Sequence, residues 1–102
     1  MAGDSVIREK WSVSENYQKV SIAVLQENLA ALRAKADISQ EELANLLGIS
    51  RQTYSGLESG KRHMSWCTYL SLVFLFHEIR STREMIEGLH VFPADLFIKF
   101  NS

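Results

Sequence analysis

Between residues 39 and 65 the chain is punctuated at short intervals by Ser39, Gly48, Ser50, Gly60 and Ser65. No other feature limits the fold as much. A serine just before a helical run accepts a hydrogen bond from the free amides of the first turn. A glycine just after the run adopts the left-handed conformation at no steric cost. Read this way, the interval holds two short helices joined only by Gly48-Ile49-Ser50, and a further helix begins after Ser65. Glu42, three residues beyond Ser39, is placed to reach back and complete a capping box. Leu43, Leu46 and Leu47 are expected to form the buried face of the first short helix, with Ile49 as a plug between the two.

The rest of the chain fits an all-α fold. No strand-like alternation persists, and a single proline interrupts 102 residues. A helix is expected from near Ser14 to about Ala36, since Leu25, Leu29, Leu32 and Ala36 recur at helical spacing. Tyr17, Val20 and Val24 continue that stripe backwards. Residues 1–14 read as a polar arm anchored by Val6, Ile7 and Trp11. The segment "SWCTYLSLVFLFHEI" is apolar almost all round and forms a fourth helix. "STREMIEGLHVF" gives a fifth, and "PADLFIKF" a short last turn opened by Pro93.

Composition narrows the setting. The 46% apolar content fills one core. There is no run long enough to span a membrane and no secretory leader at the start, and the lone Cys67 cannot form an internal disulfide. A cytoplasmic protein with no membrane partner is expected. The net charge of −1 argues neither for nor against a nucleic-acid partner. Residues 50–63 nevertheless carry Arg51, Lys61 and Arg62 against Glu58 alone, a small local positive excess.

Residues 40–59 resemble the helix-turn-helix of the Xre family, which includes phage repressors and Cro proteins. Gln40 stands at the start of the first motif helix, the small Ala44 where the helices cross, and Gly48 at the turn. Leu43, Leu47, Ile49 and Leu57 hold the corner. Two helices crossing steeply over so short a turn leave no room for a large side chain at their contact. The likeness extends from about Leu25 to Phe76. It implies an all-α, five-helix phage-repressor-like fold, with a helix-turn-helix DNA-binding domain over residues 15–78 and a C-terminal helical extension over 79–102. It also implies an ion pair between Arg33 and Glu58.

On a helix capped by Ser50, residues 51, 52, 55 and 59 share one face, while 54, 57 and 58 turn towards the core. The resemblance implies that the first face enters the major groove of double-stranded DNA. Arg51, Gln52 and Ser55 are then the base readers, since arginine suits guanine and glutamine suits adenine. Gln40, Thr53, Tyr54, Lys61 and Arg62 are expected to contact phosphates, with His63 beside them. Tyr54 is expected to keep its hydroxyl tip at the protein edge. Gly56 departs from the family pattern. It either lets DNA approach closely or is a tolerated weak position, costing the helix about 1 kcal/mol relative to alanine.

Cys67, His77 and His90 match no metal-ligand spacing, and Cys67 is expected in the core. No nucleophile–base pairing or phosphate loop is seen, so neither enzymatic activity nor a cofactor is expected. The C-terminal third holds more apolar residues than five helices bury. A homodimer through residues 79–102, helped by the fourth helix, is therefore expected. The function implied is a DNA-binding transcriptional regulator, a repressor on a palindromic operator. The alternative is an antitoxin-like or other protein-interaction module, binding a toxin or regulator partner.

Overall fold

The computed structural model describes residues 6–91 and 94–102. Among the described residues, six α-helices follow a 3-10 turn at Glu9–Trp11: α1 Glu15–Ala36, α2 Gln40–Leu47, α3 Arg51–Ser59, α4 Trp66–Glu78, α5 Arg80–Gly88 and α6 Ala94–Phe100. The all-α expectation holds, with one helix more than five, because the segment expected to be a single last turn forms α6. The fifth helix, expected to reach Phe92, ends at Gly88 because the chain turns at Leu89 and His90, the latter at φ +57. Phe92, the opening of the last turn by Pro93, and residues 1–5 of the arm lie outside the described residues.

Local chemistry explains the boundaries. Ser14, Ser39, Ser50 and Ser65 each accept a hydrogen bond from the backbone three residues on, at 3.0–3.1 Å. At Ser39 the capping box is complete, for the Glu42 carboxylate accepts from the Ser39 amide at 2.9 Å. That bond, with the Ser39 hydroxyl, holds the Glu42 carboxyl below its ordinary pKa. Gly48 takes φ +73, and the amides of Gly48 and Ile49 fold back onto the carbonyls of Asn45 and Ala44. These two bonds satisfy the free end of α2 and set the corner.

One core joins α1 to α5. Leu25, Leu29 and Leu32 meet Leu43 and Ala44 of α2, Tyr54 and Leu57 of α3, and Tyr69, Leu72, Val73 and Phe76 of α4. Ile86 of α5 and Val91 are buried in the same cluster, so the first half of the 79–102 segment is part of the core. Thr82 closes the α4–α5 corner by donating its hydroxyl to the carbonyl of Phe76 at 2.6 Å. The Tyr69 hydroxyl donates to the carbonyl of Val91, and burial pushes its pKa up to about 12.

Several expected core positions face outwards. Val20 is exposed while Ser21 is buried, because Ser21, one turn before Leu25, lies on the core stripe and Val20 does not. Leu46 is 60% exposed, leaving Leu43 and Ala44 as the buried pair of α2. Cys67 is exposed, not in the core. It precedes the buried Tyr69 by two residues, which puts it on the far side of α4. Of the arm's expected anchors, Val6 and Ile7 are exposed. Trp11 stacks on Phe100 at 5.2 Å, and Lys99 donates to the Ser12 carbonyl at 2.8 Å, so the arm pairs with α6. Among the described residues, no helix is long and apolar enough to cross a membrane.

Candidate nucleic-acid interface

The second short helix is amphipathic in a particular way. Tyr54 and Leu57 are buried in the core, whereas Arg51, Gln52 and Ser59 are exposed. The outer face is free because the inner face is held from α1. Gln26 donates its side-chain amide to the carbonyl of Leu57 at 3.0 Å. Two turns further along α1, Arg33 takes Glu58 in a two-point grip, Nε to Oε2 at 2.9 Å and Nη2 to Oε1 at 3.0 Å. The remaining arm of the guanidinium donates to the carbonyl of Ile38 at 3.2 Å.

The charges in this grip support one another. The hydrogen bond to Glu58 raises the Arg33 pKa above its ordinary value. For Glu58, burial works to raise the carboxyl pKa, but Arg33, the adjacent Tyr54 hydroxyl and the Gln40 amide outweigh it and leave the group below its usual range. Tyr54 is itself fully buried, and its hydroxyl lies beside this pair without a hydrogen bond of good geometry. Burial pushes the phenol pKa far above its ordinary value.

The expected site residues therefore separate. Arg51 and Gln52 stand exposed near the start of α3, with Ser55 half-buried beside them. Thr53 is half-buried, and its hydroxyl accepts from that of Ser50 at 2.9 Å. Lys61, Arg62 and His63 are exposed in the loop after α3. Gln40 is half-buried, with its side chain beside Glu58. Tyr54 does not have the edge position expected of a phosphate contact. A residue one turn before Glu58 and three before Leu57 lies on the core side of α3, and there its ring is enclosed and its tip meets no solvent. Ser59 is exposed on the outer face expected for it, whereas Gln26 is not among the expected site residues. Ser59 donates its hydroxyl to the carbonyl of Gly56 at 3.2 Å. Nothing local marks Gln26, whose partner is 31 residues away.

Two short helices at a Gly48 corner, with one outer polar face and a basic loop at its end, define a helix-turn-helix DNA-binding domain. Comparison with protein families gives the same class: residues 29–65 match the helix-turn-helix family model. Over this segment the chain is similar to the Xre-type helix-turn-helix of phage repressors and Cro proteins, which are DNA-binding transcriptional regulators. No curated protein and no solved structure gives a match.

Proposed function

We propose that the chain is a sequence-specific repressor that binds a palindromic operator in double-stranded DNA as a homodimer. One observation carries this reading: Arg51 and Gln52 project from α3 into solvent while Tyr54, Leu57 and Glu58 of the same helix are locked to α1. Such a face is preorganised to enter a major groove, so little ordering is lost on binding. Arg51 supplies a fork for guanine and Gln52 a donor–acceptor pair for adenine, with Ser55 at the next turn. Gln40 at the start of α2, Thr53, and Lys61 after α3 hold the flanking phosphates and set the register.

The dimer is assigned to the C-terminal segment 79–102 together with α4. Leu70 and Phe74 on α4 and Ile98 on α6 are exposed, Phe74 by 61% and Ile98 by 72%. Pairing two copies there would cover these side chains. It would set two recognition helices about 34 Å apart, one helical turn of DNA. The same uncovered apolar face favours a second reading, a toxin-like or regulatory protein partner seated on α4.

Selection of bound sites from random duplex DNA tests the reading. Enrichment of a two-fold symmetric site, with affinity falling steeply as salt rises, is expected. Recovery of no preferred sequence would overturn it.

A further inference from the structure

Gly56 is the one described glycine whose β-position is already occupied. Open space surrounds Gly48, Gly60 and Gly88 at that point. A β-carbon placed on Gly56 would lie 3.2 Å from the Arg62 Cβ, 3.6 Å from its Nε and 3.9 Å from its Cδ. The chain reverses after Gly60, at φ +78, and the Arg62 amide donates to the Gly56 carbonyl at 3.0 Å. The backbone of Arg62 is thus bonded to the middle of α3, and its side chain lies against Gly56. The alkyl stem runs over the slot left by the missing side chain, and its guanidinium begins directly above the helix. Arg62 is exposed, and among the described residues no ion pair joins it to a carboxylate.

Helical geometry says what that placement means. Gly56 lies one turn after Gln52 and shares its face. A glycine presents nothing to a groove, and it weakens a helix interior relative to alanine. Neither a DNA backbone nor a thymine methyl can take the space, because Arg62 fills it. We propose that Arg62 is a base-reading residue. Through the slot at Gly56 it delivers its guanidinium to a guanine in the major groove, next to the base read by Gln52. This rests on the reading that the outer face of α3 enters the groove. A planar fork laid along the reading face suits the two acceptors of guanine. A phosphate clamp needs only a cation at the rim, and Lys61 supplies one.

Site selection from random duplex DNA, run with the full chain and with Arg62→Ala, Arg62→Lys, Gly56→Ala and the Gly56→Ala/Arg62→Ala pair, decides it. Arg62→Ala should lose guanine preference at one position of each half-site, by about 5- to 150-fold, and keep preference elsewhere. Arg62→Lys retains the charge without the fork and should lose the same preference while keeping most of the overall affinity. Gly56→Ala displaces the stem and should weaken the same position, with no added effect in the Arg62→Ala background. The lysine variant leaves the slot untouched and keeps the test valid should Gly56→Ala fail to fold. If Arg62→Ala instead weakens all sequences alike and flattens the salt dependence, Arg62 is a phosphate clamp and the inference is wrong. An equal loss from Gly56→Ala with or without Arg62 would equally overturn the role of the slot. If the unaltered protein enriches no site, the groove-reading function itself fails, an outcome distinct from an unaltered Arg62→Ala preference.

Discussion

Arg33 holds Glu58 by two parallel hydrogen bonds of 2.9 and 3.0 Å, across 25 residues of sequence. Only 20% of the Arg33 side chain and 10% of the Glu58 side chain remain exposed. The pair ties the end of the recognition helix to the long first helix, and the bond from Arg33 to Ile38 ties in the loop between α1 and α2 as well. A fork-to-fork contact of this kind fixes orientation as well as separation. Several consequences follow for stability, and others for binding.

Removing one partner strands the other charge in a mostly buried place. Glu58→Gln or Arg33→Met should destabilise the fold by up to about 3–5 kcal/mol, the range for a broken buried pair. The double variant should lose less than the sum. Urea midpoints for the four proteins measure this, and single losses that add to the double loss within about 0.5 kcal/mol would show that the two side chains are not coupled.

Acid should weaken the protein through the same group. The folded-state pKa values of Glu58 and Glu42 both lie below their ordinary value. Below that value the unfolded chain takes up more protons than the folded one. The stabilisation is therefore fully present above about pH 4.3 and is lost as the pH falls through the folded pKa values. Urea midpoints between pH 6 and pH 3 should drop, less steeply for Glu58→Gln. Equal slopes for the two proteins would exclude Glu58 as a contributor.

Tyr54→Phe is expected to be unusual among core substitutions. The ring fills the core, but its buried hydroxyl meets no hydrogen bond of good geometry. Deleting that hydroxyl removes a buried polar group with a desolvation penalty of about 1–3 kcal/mol. Thermal melting should show little change, since the relief of desolvation is offset by the loss of the hydroxyl's hold on the Glu58 carboxylate, and DNA affinity should stay the same because the tip reaches no phosphate. A clear loss of stability would mean that the hold on Glu58 outweighs the desolvation.

Lys61 and Gln52 should fail in different ways. Lys61→Ala should weaken every sequence alike and lower the salt slope by about 1. Gln52→Ala should relax preference at one base position, at about 1–3 kcal/mol. Titrations against the selected site, single-base variants and unrelated duplex separate the two patterns. Identical patterns would end the division into readers and clamps.

The exposed Phe74 offers a handle on assembly. Phe74→Asp should leave the circular dichroism spectrum intact, since the side chain lies outside the core. It should reduce the mass in sedimentation from two copies to one and weaken binding to a two-fold site more than to a half-site. A variant that remains dimeric would move the interface away from α4.

Much of the fold could be read from residues a few positions apart. Ser39 with Glu42, Ser50 with Thr53 and Gly48 with Ala44 interact within one turn of backbone, so each boundary is written locally and α2 and α3 appear where the serines and glycines place them. Periodicity was a poorer guide to burial. Leu46 and Cys67 are as apolar as their buried neighbours, and no local rule separates them. Which side of α2 or α4 faces inwards depends on where the other helices pack.

Sequence alone settled the helix-turn-helix: short-range hydrogen bonds at caps and one left-handed glycine suffice to produce its corner. Tertiary packing alone decided that the Tyr54 ring is sealed in the core, that Gln26 supports Leu57, and that Arg62 lies over Gly56. The physical reason is distance along the chain. A cap needs only its own turn, whereas these contacts bring together side chains from separate elements, and their geometry exists only once the helices have packed.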